Sequence, residues 1–469
     1  MVADFGFGVL VLSWVICIYG IAAAVYGAVK NKRAWVESAR LSMLVSFLLV
    51  TAVVTCLEVL LISGDYSLPF VYSVTSSSMP VYLKMTALWG GQAGSLLFWS
   101  WLLSAFGFAV SLRKWDRDRE FLPWVVVVVL VTQLFFLSLS VFLENPFTHF
   151  WALPDNTVQE ALFAPAGATP ITPSDGNGMS PMLRHLGMVI HPPMLYLGFV
   201  SFVIPFAFAI AVLITGRTDD RWIRVTRRWT LVAWLFLSLG LLLGSRWAYD
   251  VLGWGGYWGW DPVEIAALMP WLSGTAFLHS VMIQERRGML KRWNMILVVL
   301  TYSLVIFGTF LTRSGVLSSV HAFAQSAIGP LFFAFIAATF IISLGLLLKR
   351  WTALHGETAM TSVLSRESLF LINNLIFMGI LVVCFWGVIY PLISELLTGQ
   401  KATVGPAYYK GPVGLLSAVL LLLMGVAPLS AWGHSTWKTL GKALWLPVLL
   451  STLVLLPIGF GAGVSSASA

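Results

Sequence analysis

The chain has 469 residues, of which 58% are hydrophobic and only 10% charged, against about 25% charged residues in soluble domains. With a mean hydropathy of +0.87, it carries too few charges to cover a water-facing surface, so a soluble globule is excluded and lipid is the main solvent. The net charge of +8 is a matter of how Lys and Arg are distributed along the chain and implies no nucleic acid.

A spanning helix needs about 20 mostly apolar residues. Twelve such windows follow one another at 5–28, 41–63, 87–112, 123–143, 191–215, 228–246, 264–283, 294–313, 326–348, 367–396, 412–432 and 442–463. This predicts an all-α, polytopic membrane protein, with residues 1–469 as a single membrane domain. The first window has no basic stretch before it and runs too long for a cleaved signal peptide. Alternate loops differ sharply in charge, and 22 of the 28 Lys and Arg fall in one set of short loops. That set faces the cytoplasm by the positive-inside preference, which places both termini and the longer loops outside. Residues 64–86 form a Ser-rich outer loop. Residues 144–190 form the largest external loop, with Pro, Asn, Asp and Gly throughout and the turn cluster Pro173-Ser-Asp-Gly-Asn-Gly178.

The fifth window opens on His191-Pro-Pro-Met-Leu-Tyr196, and after the sixth comes the external tryptophan-rich loop 247–264. It reads Trp247-Ala-Tyr-Asp-Val-Leu-Gly-Trp254-Gly-Gly-Tyr257-Trp258-Gly-Trp260-Asp261-Pro-Val-Glu264. Indole rings offer large flat apolar faces with one N–H each, and the interspersed glycines permit close backbone approach. Together they suit a flat, greasy, partly polar ligand at the membrane surface. An interfacial aromatic belt is the plainer alternative, but a belt needs neither glycine spacers nor the acids Asp250, Asp261 and Glu264. Asp261-Pro262-Val263-Glu264 also has the form of a capped helix start, so both acids have an architectural task whatever the function.

Farther along, His279 lies inside the seventh window, where an ionisable side chain points to function. His321 follows the eighth window, at the same face as His191 and the Trp-rich loop. An imidazole on each side of a porphyrin is ordinary axial ligation of haem iron, which makes His191, His321 and, inside the membrane, His279 candidate metal ligands. Arg184, Arg246 and Arg313 are the external cations near these elements and suit haem propionates. Cys17, Cys56 and Cys384 all fall in apolar windows and form no CxxC pair, so no disulfide, zinc site or covalent haem attachment is expected. His149, His185, His355 and His434 are given no role.

Trp254-Gly-Gly-Tyr-Trp-Gly-Trp-Asp-Pro-Val-Glu264, flanked by His191 and His321, resembles the tryptophan-rich motif of haem-handling membrane proteins. Trp89-Gly-Gly-Gln-Ala-Gly-Ser-Leu-Leu, His191-Pro-Pro-Met-Leu-Tyr, Thr312-Arg-Ser-Gly-Val-Leu and Ser318-Ser-Val-His321-Ala-Phe-Ala narrow the resemblance to the CcmF family, the membrane subunits of bacterial cytochrome c haem lyase. The similarity extends from Trp89 to Pro428. It implies a cytochrome c synthetase in the bacterial inner membrane with its active face toward the periplasm. Such a protein takes haem from a periplasmic haem chaperone and attaches it to the CxxCH cysteines of apocytochrome c, alongside a thiol-reducing maturation subunit. By the same resemblance His191 and His321 ligate the incoming haem, the loop 247–264 holds its face, and His279 is one ligand of a resident haem b that supplies electrons. The second ligand of that haem b has no matching position in this chain. Ile265 stands where the family usually has Asn, and Gln92-Ala93 lacks a common acidic residue.

The expected reaction is thioether formation between a haem vinyl group and a cysteine thiol. The protein's part is positional, an effect that removes about 7–11 kcal/mol of barrier, and no catalytic acid, base or nucleophile is identified. Two other readings compete. A haem exporter or chaperone loader shares the platform but makes no thioether. An ion or solute transporter would use polar groups along a midplane path, of which Glu58, His279 and Asn373-Asn374 are the candidates.

Overall fold

The computed structural model describes residues 1–317, 319, 328–356, 358 and 360–461, with side chains as far as 456. Twelve helices among them are long and apolar enough to cross a membrane, and they coincide closely with the twelve windows.

Helices α1 (Val2–Val29) and α2 (Arg33–Ser63) form an antiparallel hairpin. The short helices α3 (Pro69–Val74) and α4 (Val81–Thr86) lead into α5 (Gln92–Ser111). The third span therefore starts at Gln92 instead of 87, because Ala87–Trp89 forms a 3-10 turn and Gly90-Gly91 interrupts it. Helix α6 (Leu122–Phe142) packs on α1 and α5.

The long loop 144–190 is more ordered than its composition suggests. It carries three short strands, β1 (His149–Ala152), β2 (Val158–Ala161) and β3 (Thr169–Pro170), in the antiparallel order β2-β1-β3. Its Asp175 carboxylate accepts the N–H and hydroxyl of Ser77 at 2.7 and 2.6 Å, which ties it to the residues 64–86. These hydrogen bonds hold the carboxyl near pKa 2, well below its ordinary value.

The fifth span is broken into α7 (Gly187–Ser201) and α8 (Val203–Thr215). Pro205 has no N–H to donate to the Ser201 carbonyl, so the ladder is interrupted there. Pro192 likewise leaves the Met188 carbonyl without its helical partner, and Trp89 Nε1 donates to that oxygen at 2.8 Å. An internal proline thus becomes the joint that fixes Trp89 against α7.

Helix α9 (Arg221–Val251) runs alongside α7, followed by α10 (Pro262–Arg287), α11 (Lys291–Ser314), α12 (Gly329–Lys349), α13 (Arg366–Thr398), α14 (Pro406–Val426) and α15 (Trp437–Gly461). Helix α10 sits at the centre, packed on α9, α11 and α13. The spans of α12, α14 and α15 are only 17%, 11% and 6% buried, against 72% for α10 and α11, so these three lie at the lipid-facing margin.

Candidate functional site

The expected Trp-rich loop is shorter than 247–264. Trp247 and Arg246 belong to the last turns of α9, which runs on through Val251 because no helix breaker occurs before Gly253, whose φ is +67°. Val263 and Glu264 already lie in α10. The loop proper is 252–261, and the start of α10 at Asp261 is built as its sequence predicts. The Asp261 carboxylate accepts the Val263 N–H at 2.9 Å, while Glu264 accepts the N–H groups of Asp261 and Gly259 at 3.2 and 3.0 Å. Both acids therefore shape the loop. Asp261 also accepts the hydroxyl of Ser319 at 2.6 Å, which links the loop to the segment after α11.

A cavity of about 230 Å³ opens beside this loop, among α7, α9, α10 and α11. Four chemically distinct features meet there. His191 and Trp247 lie on one wall with rings nearly parallel (14°) and centroids 6.3 Å apart. Trp89, Gly90 and Met188 close a second side. Phe199, Ala266, Ala267 and Gly308 form an apolar interior. Arg313, only 1% exposed, contributes a cation. It is held by the Ser95 hydroxyl at 2.6 Å and the Tyr196 hydroxyl at 3.0 Å.

His191 Nδ1 is 2.8 Å from the Gly240 carbonyl. A carbonyl can only accept, so Nδ1 carries the proton, and in the neutral ring Nε2 has the lone pair. That is the tautomer a metal-ligating histidine adopts when its other nitrogen is engaged. The site thus joins an imidazole, a flat indole, apolar depth and a buried guanidinium. It suits a flat, largely apolar metallo-ligand with carboxylate substituents.

Other expected site residues lie elsewhere. Trp254 folds over Gly259, where a Cβ would come within 2.5 Å of the indole. Tyr257 stacks on Tyr249 at 4.5 Å, and Trp258 meets Trp260 edge-on at 6.0 Å. Trp260 has φ +57° and stacks face to face on Tyr409 of α14 at 4.9 Å. Four of the aromatic residues expected to form one platform thus make contacts with one another and with neighbouring elements, and of these expected aromatics Trp247 alone is among the described residues that line the cavity. Arg246 is exposed and paired with Asp250 at 3.0 Å, and Arg184 binds the Met179 carbonyl, so neither contributes to the lining. His321 lies outside the described residues.

His279 is remote in kind as well as in position. It is stacked on Phe370 (5.4 Å) and bonded through Nδ1 to the Asn373 amide at 3.0 Å. Sequence reasoning missed Trp89, Met188 and Tyr196 as site residues, although Trp89 and Tyr196 were visible in quoted motifs. Gln92, which stands in place of an acidic residue, donates to the Arg313 carbonyl at 3.2 Å and braces the end of α11. Ile265, in place of Asn, is fully buried.

Comparison with known proteins bears on the whole chain. The sequence profile of the family described as cytochrome C assembly protein matches residues 89–321. The cytochrome c-type biogenesis protein CcmF of Pseudomonas aeruginosa is 37% identical over 98% of this chain and 67% of its own length. CcmF of Escherichia coli K12 is 35% identical over 97% of this chain and 67% of its own. A solved structure, cytochrome c heme lyase CcmF, superposes with a TM-score of 0.76 at 29% identity, covering all of this chain and 67% of that one.

Proposed function

The chain belongs to the CcmF family of cytochrome c-type biogenesis proteins, the haem lyases, and we propose that it seats its substrate haem in the cavity beside α7 and α9. In this reading His191 Nε2 binds the iron, Trp247 lies against the macrocycle, and Arg313 pairs with a propionate. His321, from the segment after α11, supplies the second imidazole. Haem arrives from a periplasmic haem chaperone, on the periplasmic side of a bacterial inner membrane.

The reaction adds a cysteine S–H of the apocytochrome CxxCH motif across a haem vinyl group. Sulfur bonds the inner vinyl carbon and the hydrogen passes to the outer one, so no net oxidation or reduction occurs. This addition needs alignment more than acid–base help. Two ligated faces and a fixed propionate hold the vinyl edge in one place, which converts an encounter into an effectively unimolecular step. The apolar interior excludes water from the porphyrin.

A resident haem b at His279 belongs to the same proposal. His279 is a neutral donor that Asn373 holds in place across the α10–α13 contact, and either orientation of the Asn373 amide leaves Nε2 directed away from it. Such a group, when bound, supplies electrons that keep the substrate iron reduced. A thiol-reducing subunit would deliver the apocytochrome with its cysteines free.

The observation that carries the proposal is the meeting of His191, Trp247 and Arg313 in one cavity. Its test is co-production of the chain with a CxxCH apocytochrome, the family's partner subunits and the haem chaperone, followed by mass spectrometry of the product. His191→Ala is expected to abolish the thioether-linked mass. A normal yield of holocytochrome would remove His191 from the site.

A further inference from the structure

We propose that Gly240 and Gly244 of α9 are positioning residues for His191, setting both its tautomer and the direction in which Nε2 points. This rests on the reading of His191 as the haem ligand.

The face that α9 turns toward α7 is marked by Leu237, Gly240, Gly244 and Trp247, which recur every three or four residues, as one helix face requires. Gly240-Leu-Leu-Leu-Gly244 is a small-xxx-small pattern of the kind that lets membrane helices approach closely. The approach is real along its whole length. A Cβ on Gly240 would fall 2.7 Å from Leu195 Cα, and one on Gly198 of α7 would fall 2.4 Å from the Leu237 backbone nitrogen.

At Gly244 the neighbour changes in kind. There the three atoms nearest to a Cβ all belong to the imidazole itself, 2.5 Å from Cε1, 2.9 Å from Nδ1 and 3.1 Å from Nε2 of His191. The ring therefore occupies the space where a side chain at 244 would stand. One turn earlier, the Gly240 carbonyl accepts from Nδ1 at 2.8 Å. One turn later, Trp247 lies nearly parallel to the ring at 6.3 Å. Three consecutive contacts of a single helix face thus fix the ring's proton, its seat and its flank. A side chain at 244 would push the ring from its seat and break the Nδ1–H···O bond, removing the reason for Nε2 to be the unprotonated nitrogen. An engaged Nδ1–H also makes the imidazole a stronger donor, and loss of such an outer partner typically weakens metal binding about 10–100-fold.

The experiment uses the full chain labelled with 15N-histidine, with the His191 signals assigned by their loss in His191→Gly. In the haem-free protein, the His191 Nδ1 is expected to be protonated, and Gly244→Ala is expected to change that tautomer. In the haem-loaded protein, Gly244→Ala is expected to weaken retention of the outer haem roughly 10–100-fold, read as the absorption lost relative to His191→Gly. Combined with His191→Gly, the same substitution should cost nothing further, because the ring it strikes is gone. That double variant also relieves the clash, so it folds even if Gly244→Ala alone does not. Gly198→Ala serves as the packing control and should act equally in both backgrounds.

An unchanged tautomer and an unchanged spectrum in Gly244→Ala would overturn the proposal. So would an equal loss in the His191→Gly background, which would assign Gly244 to helix packing alone. If instead His191→Gly leaves the haem spectrum untouched, the ligand reading fails, while the tautomer measurement, made without haem, still decides whether these glycines position the ring.

Discussion

Arg313 is the residue on which the cavity's chemistry is easiest to separate from its architecture. Its guanidinium is buried yet holds the hydroxyls of Ser95 and Tyr196 on two other helices. Removing it takes one accepted hydrogen bond from each, although the Ser95 hydroxyl keeps its own bond to the Gln92 carbonyl at 2.8 Å. At about 1–3 kcal/mol for the Tyr196 hydroxyl left without its partner, Arg313→Ala should lower the unfolding midpoint as well as haem affinity. Esterified haem distinguishes the two effects. If Arg313 pairs with a propionate, the wild-type chain should bind haem dimethyl ester more weakly than haem, and Arg313→Ala should bind both alike, by absorption titration. Equal wild-type affinities would mean that the cation serves only the helices. Arg313 was legible in the sequence as one of only six Lys and Arg in the loop set that includes the Trp-rich loop, and His191 as a histidine at the end of a span beside that set. Tyr196 and Ser95 were not, because their contacts with Arg313 join residues more than 100 positions apart.

At the level of elements, legibility followed physical necessity. A spanning helix cannot be shorter or much more polar than lipid permits, so twelve windows mapped onto twelve spans. The start of α10 was equally plain, since Asp-Pro-x-Glu satisfies the exposed N–H groups of a first turn in one way. The small sheet was hidden, because strands of two to four residues flanked by Pro and Gly carry no usable alternation. How the Trp rings are arranged was hidden for a related reason. Ring count says nothing of which neighbour each ring finds, and Trp260 finds Tyr409 on α14. Asp261 carries two duties that a substitution can separate. Asp261→Asn retains a good N-cap and should leave stability close to wild type. Asp261→Ala should cost about 1 kcal/mol, measured by chemical unfolding in detergent, and should release Ser319. If both substitutions are neutral, the cap does not brace the loop.

For the molecule as a whole, burial and charge divide the chain along two axes. Across the membrane plane, the well-buried α10 and α11 give way to the lipid-facing α12, α14 and α15. Along the membrane normal, the tryptophan-rich end lies opposite the end that holds most of the 28 Lys and Arg. The second axis makes a direct prediction about orientation, and the native cysteines make it easy to test. Cys17 and Cys384 are buried, Cys56 is half-buried, and all three lie within spans, where a charged, membrane-impermeant maleimide does not reach. The wild-type chain should therefore stay unlabelled in intact cells. Tyr257→Cys replaces a side chain that is 52% exposed in the loop 252–261 and should label in cells whose inner membrane is intact. Arg228→Cys, at an exposed position near the start of α9, should label only after that membrane is opened. Labelling of Arg228→Cys but not Tyr257→Cys in intact cells would invert the chain, place the His191 cavity on the cytoplasmic side, and leave it unable to receive haem or apocytochrome from the periplasm.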